Sequence, residues 1–346
     1  MLNAKQNMQE VIRGGDFVRF VNQYEALTLL FHPYFLFSRG SMKRGDPDIV
    51  NAWGVTMSYP EHVPGTFPVH TPDKIVVKDI ERWYDYVKPP SLDFTDEQWA
   101  IAKNMYDAVD GAQTFKASFI APGIFEQTHH LCEITNALTY YITNPDEMHD
   151  LIKCLTDWEL ELAEGICKHL KPEALFHHDD WGSEKSTFLS PDMFAEFFLE
   201  PYKKIYGYYR DHGVGLIIHH CDSYAATLVP HMIEMGIDVW QGCMASNDVP
   251  SLIEKYGGQI TFMGGIDNKA IDFTGWTQDD ARKVVREICD KCGGKYFIPC
   301  ITQGGPGSLY QGAYMALTEE IDKYSQEVFG IKESDITRPL PIQIMF

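Results

Sequence analysis

Basic residues are scarce in this chain: 29 Lys and Arg stand against 49 Asp and Glu, a formal charge of −20. So acidic a surface argues against gripping nucleic acid or binding anionic membranes. It also suits a highly anionic substrate poorly. Long apolar runs are missing too: none approaches the roughly 18 residues a membrane span needs. The opening Met1-Leu2-Asn3-Ala4-Lys5-Gln6-Asn7 lacks the apolar core of a secretory signal. The chain therefore reads as soluble and cytoplasmic. No stretch matches G-x-G-x-x-G or the Walker pattern, although two glycine loops invite the comparison. They are Met263-Gly264-Gly265-Ile266-Asp267 and Gln303-Gly304-Gly305-Pro306-Gly307-Ser308. Their glycines read as points of close backbone approach, and Asp267 as a candidate hydrogen-bonding contact to a polar ligand. Internal repeats and low-complexity segments are absent.

What is present is a large apolar fraction, 45% of 346 residues, with 23% charged. That suffices for a sizeable core. From about residue 115 the pattern alternates between short apolar runs and helical stretches. Strand-like runs fall at 115–120, 174–178, 214–220, 237–241, 259–263 and 296–300. Helices are expected near 125–142, 144–169, 190–211, 227–236, 249–256, 277–292 and 309–329. Asn144-Pro145 and Ser190-Pro191 look like helix starts. Such alternation implies a parallel sheet, and its length favours a (β/α)8 TIM barrel with N-terminal helical and loop additions. Residues 38–72 read as strand, loop and strand within one domain spanning 1–346.

Eight cysteines are spread along the chain. In a cytosolic protein of this size they read as thiols or ligands, not a disulfide framework. Cys289 and Cys292 have no partner pair at zinc-ribbon spacing and read as packing residues. The run Leu216-Ile217-Ile218-His219-His220-Cys221-Asp222 is different. Strand alternation puts His219 and Cys221 on one side and His220 on the other. Cys300 closes the run Tyr296-Phe297-Ile298-Pro299-Cys300, and Cys243 lies just past the 237–241 strand. At the C-terminal rim of a barrel, His219, Cys221 and Cys300 form a candidate zinc set, with Cys243 as a possible fourth ligand or neighbour. The alternative is that each cysteine is a small buried hydrophobe. Asp180, in His177-His178-Asp179-Asp180-Trp181-Gly182-Ser183, is a candidate for acid–base work or substrate hydrogen bonding. Asp179 and Asp180 could equally be turn or capping residues. His129 and His130, adjacent on a helix, face different ways and are not expected to chelate as a pair.

Taken with Asn51-Ala52-Trp53-Gly54, Gly123-Ile124-Phe125-Glu126, Asp179-Asp180-Trp181-Gly182, Ser190-Pro191 and Gly264-Gly265-Ile266-Asp267, the His-x-Cys segment resembles the uroporphyrinogen decarboxylase superfamily. Within it, the chain is similar to the corrinoid-linked methyltransferases of the methylcobalamin:coenzyme M type. That resemblance implies zinc on His219, Cys221 and Cys300, and methyl transfer between a corrinoid protein and a small thiol acceptor or methylated donor. No corrinoid-binding domain is evident, so the cobalamin would arrive on a separate partner. Cobalamin-independent methionine synthase, a related barrel, has a Glu between its two cysteines, where this chain has Cys243. A zinc neutralised by thiolates is a weak Lewis acid, which leans towards a bound thiol. The alternatives are a metal-independent decarboxylase using Asp180 and a non-catalytic docking barrel. Against the decarboxylase, Phe35-Leu36-Phe37-Ser38-Arg39-Gly40-Ser41-Met42-Lys43-Arg44 does not reproduce that enzyme's arginine-rich segment.

Overall fold

A computed structural model describes residues 2–63, 65–301 and 309–336. The Gln303–Ser308 loop lies outside the described residues. The chain begins with α1 (Ala4–Arg13), opened by a reciprocal Asn3–Gln6 capping box. It continues through β1 (Leu27–Leu30) to a small antiparallel sheet of β2 (Ile49–Val50), β3 (Thr56–Ser58) and β4 (Phe67–Pro68). Where strand, loop and strand are expected over residues 38–72, the chain forms three short strands between 49 and 68. Two helices follow, α2 (Trp83–Tyr86) and α3 (Asp96–Asp107).

Alternation then sets in as the apolar runs predict. Its first half is β5 (Phe115–Ile120), α4 (Ile124–Cys132), α5 (Ile134–Thr143), α6 (Pro145–His169), β6 (Ala174–His178), α7 (Pro191–Phe194), α8 (Glu200–Asp211) and β7 (Leu216–His220). The second half is α9 (Val229–Glu234), β8 (Val239–Cys243), α10 (Val249–Tyr256), β9 (Thr261–Ile266), α11 (Gln278–Cys292), β10 (Phe297–Ile301) and α12 (Ala313–Phe329). The strands β1 and β5 to β10 form a seven-stranded parallel sheet in chain order, curled as in a (β/α)8 TIM barrel. Its two end strands are joined through the segment before β1. Gln23 donates its backbone N–H to Pro299 (3.3 Å), and Ile301 N–H donates to the Gln23 side chain (3.4 Å). A buried Arg19–Glu25 ion pair holds that segment. Breaking such a pair by removing one partner typically costs about 3–5 kcal/mol.

Two expected boundaries move. The helix anticipated over 125–142 is cut at Glu133, whose backbone is left-handed (φ 73°). The Glu133 carboxylate accepts the N–H groups of Thr135 and Asn136, opening α5 afresh. The strand anticipated at 237–241 runs two residues later, so Cys243 is its last residue.

The core has two layers. Phe119, Phe176, Ile218, Val239, Met263, Ile298 and Cys300 fill the barrel interior. Leu175, Ile217, Trp240, Cys243, Phe262 and Phe297 pack outward against the helices. Every residue of β7 is buried, whichever way it points. No described helix is long and apolar enough to cross a membrane.

Candidate active site

The register across the middle of the sheet decides which side chains meet. His178 on β6 lies beside His220 on β7, which lies beside Gln241 on β8. These three share the face of Phe176 and Ile218, so they point into the barrel at its C-terminal rim. The imidazoles of His178 and His220 stack with centroids 4.4 Å apart. Asp180 approaches both, its carboxylate 3.7 Å from His178 Nε2 and 4.0 Å from His220 Nε2. Its Oδ1 also accepts the Asp222 N–H at 2.8 Å, which fixes the carboxylate between the two strand ends. Glu126 of α4 reaches in from the side, with Oε2 3.4 Å from His178 Nε2.

Asp179 builds the support beneath this cluster. Gly123 begins α4 without a side chain to cap it, and the Asp179 carboxylate caps it from β6 instead. It accepts the N–H of Phe125 (3.0 Å) and of Glu126 (2.7 Å), the Trp181 indole N–H (3.0 Å), and the Tyr202 hydroxyl. A Cβ on Gly123 would lie 2.4 Å from Asp179 Cβ, so only glycine permits this approach. The capping role expected for Asp179 or Asp180 thus falls to Asp179.

Electrostatically the rim is acidic and its histidines are neutral. Burial, then repulsion from Asp180 and Glu126, pushes the Asp222 carboxyl well above the usual carboxylate range. Burial and the Asp180 charge do the same to Glu126. Burial, followed by His178, pulls His220 down to about 4, and burial also lowers His178. Two neutral imidazoles and a carboxylate, with ligand atoms all within 4.8 Å of one another, form a donor set that fits zinc with an open position.

The cysteine-based set expected from the sequence is not assembled. His219 and Cys221 share a side, as strand periodicity predicts, and it is the helix-facing side. His219 stacks on Trp181 with centroids 3.9 Å apart. Its Nδ1 pairs with the Tyr206 hydroxyl at 2.8 Å and its Nε2 with the Asp179 carbonyl at 3.1 Å, so both ring nitrogens are engaged. Cys221 Sγ accepts the Trp181 N–H at 3.4 Å and lies 2.9 Å from Ser223 Oγ; burial raises its thiol well above the ordinary value. Cys243 is packed in the outer layer near Cys292. Cys300 faces inward, where its thiol donates to the Ile301 carbonyl. Among the described residues, none of His219, Cys221, Cys243 and Cys300 belongs to a group of metal-competent side chains. Asp267 is exposed and caps its own turn through the Lys269 N–H at 3.0 Å, apart from the rim cluster. Asp180 lies at the rim beside His178 and His220. His178, His220, Glu126 and Asp222 join it without having been expected there.

The family model described as Uroporphyrinogen decarboxylase (URO-D) matches residues 49–302. The chain belongs to the URO-D family. No curated protein matches it in sequence. Among solved structures it is similar to a methyltransferase from Methanosarcina mazei, with TM-score 0.64 and 13% identity, over 94% of this chain and 99% of that one. At that identity the likeness concerns the fold. In this URO-D chain, the rim residues His178, Asp180 and His220 all fall inside the matched span.

Proposed function

We propose that this URO-D barrel is a zinc-dependent methyltransferase that takes a methyl group from the oxygen of a small methyl ether. The acceptor is a corrinoid carried by a separate protein. The observation that carries this reading is the His178–Asp180–His220 set on adjacent strand ends. Two neutral imidazoles and one carboxylate would leave bound zinc with net positive charge, and the chemistry it would supply is polarisation of the leaving oxygen. A thiolate-rich set would have favoured a bound thiol, so the change of ligands turns the preferred direction round.

The chain's own residues do the remaining work. Asp180 orients both imidazoles. Asp222, whose carboxyl burial and its acidic neighbours raise above the usual carboxylate range, stands at the rim as the candidate donor of the proton that the departing oxygen needs. In the balanced reaction the methyl C–O bond breaks and its electron pair stays on oxygen. Cobalt(I) supplies the pair for the new cobalt–carbon bond and becomes methylcobalt(III). The substrate body has an aromatic wall to lie against. Phe176 and Phe119 back it from the buried interior, and the part open to a ligand is Phe35, with the Arg39 guanidinium over its ring at 4.6 Å. A methoxylated aromatic suits that wall.

The test is to mix zinc-loaded protein with cob(I)alamin and a panel of methoxylated aromatics, following conversion of the cob(I) spectrum to methylcob(III). Methyl transfer that disappears in His178→Ala/His220→Ala supports the reading. Consumption of methylcobalamin with thiols, and inertness towards every ether, would replace it with the thiol-acceptor reaction. The acidic rim, with Glu126, Asp180 and Asp222 together, opposes a polyanionic porphyrinogen as substrate.

A further inference from the structure

The rim contains a second constellation that the proposed reaction leaves unused. Glu126, His129 and His130 stand at positions i, i+3 and i+4 of α4, so they cover one patch of the helix surface. Their ligand atoms all lie within 4.8 Å of one another. The adjacent histidines do not chelate as an isolated pair; the glutamate one turn earlier completes a three-sided set. Their rings stand nearly perpendicular (81°) with centroids 5.0 Å apart. The buried Glu126 Oε2 makes no hydrogen bond, although His178 Nε2 lies 3.4 Å from it. Such an atom is costly to leave bare unless something positively charged or hydrogen-donating faces it.

We propose that the barrel mouth holds a second divalent cation of the zinc class, on Glu126, His129 and His130, next to the His178–Asp180–His220 site. Imidazole nitrogen with carboxylate oxygen is a donor set that zinc, cobalt(II) and nickel(II) all accept. The charge balance points the same way. Glu126, Asp180 and Asp222 crowd one rim, and a cation on Asp180 alone leaves Glu126 facing its acidic neighbours. Glu126 Oε2, 3.4 Å from His178 Nε2, is where the two sets meet, so the cations would be neighbours in one centre. This second site stands on its own residues and does not depend on the methyl-transfer reading.

The experiment is equilibrium dialysis of the full chain against Zn2+ with elemental analysis, followed by Co2+ titration read by its visible d–d bands. Wild type should bind two equivalents. His129→Gln/His130→Gln should lose one and keep the other, and His178→Gln/His220→Gln should do the reverse, leaving the equivalent bound by α4. Wild type that binds one equivalent, or two that His129→Gln/His130→Gln does not reduce, would overturn the second site. Loss only in His129→Gln/His130→Gln, with His178→Gln/His220→Gln unaffected, would keep the second site and remove the first. Should the double variant not fold, His130→Gln alone, checked by thermal melting, should weaken one of two spectrally distinct Co2+ equivalents. A single Co2+ phase in wild type would again count against the proposal.

Discussion

The two faces of β7 hold the same kinds of side chain and put them to different uses. On the outer face, His219 and Cys221 sit among Trp181, Tyr206 and Ser223, with both His219 nitrogens and the Cys221 sulfur already partnered. On the inner face, His220 gives Nδ1 to Gln241 and directs Nε2 towards Asp180. A metal ligand needs a lone pair that the fold has not already used, and a hydrogen-bonded neighbour that aims the ring. His220 meets both conditions; His219 has neighbours that aim its ring but no ring nitrogen left over. Identity and spacing along the strand do not separate the two, but partners do.

The sharpest way to break this comparison is to remove one face at a time. His178→Ala/His220→Ala should abolish zinc binding at the Asp180 site. The expected loss of affinity exceeds the roughly 10–100-fold that removal of a mere supporting partner causes, and metal analysis after dialysis reads it. His219→Ala should instead leave the metal content unchanged and lower stability by about 2–4 kcal/mol, because it empties a packed site and strips the Tyr206 hydroxyl of its partner. Denaturant midpoints measure that change. Asp179→Asn should cost about 1–2 kcal/mol by weakening the cap on α4, with transfer activity falling in parallel as Glu126 and Asp180 lose their footing. Cys221→Ser, which keeps a polar contact to Ser223, should cost about 1 kcal/mol and release no zinc.

A further effect is one of pH. His32, on the segment after β1, pairs Nε2 with the Phe119 carbonyl at 3.1 Å, and burial drags it down to about 3. Its folded value is below its unfolded one, so the unfolded chain binds the proton first. The stability it contributes is whole above about 6.5 and is lost as pH falls from there towards 3. Each such histidine adds up to about 1.4 kcal/mol per pH unit to the acid slope. His32→Gln should flatten that slope between pH 6 and 4 in urea titrations, while His178 and His220 variants keep the His32 contribution.

Much of the architecture was legible in the sequence because it rests on local signals. The apolar runs of β5, β6, β7 and β10, the Ser190-Pro191 start and the 249–256 helix come out where spacing puts them. Strand alternation also separated His219 and Cys221 from His220. What it could not tell was which set faces inward. A strand buried on both sides has no polar face to mark the outside, and Leu216, Ile217 and Ile218 read alike in either direction. The face is set by neighbours: Phe176 and Gln241 inside, Trp181 and Tyr206 outside. Glu126 is a different case. The helical spacing Glu126, His129, His130 is visible in the sequence, but only the docking of α4 on Asp179 brings the glutamate to the rim.

The most direct measurement is anomalous X-ray scattering at the zinc edge from crystals of the zinc-loaded protein. The account predicts a peak bounded by His178, Asp180 and His220 on the inner side of the sheet. A peak beside His219, Cys221 and Cys243 on the outer side, with none at the rim, would contradict it.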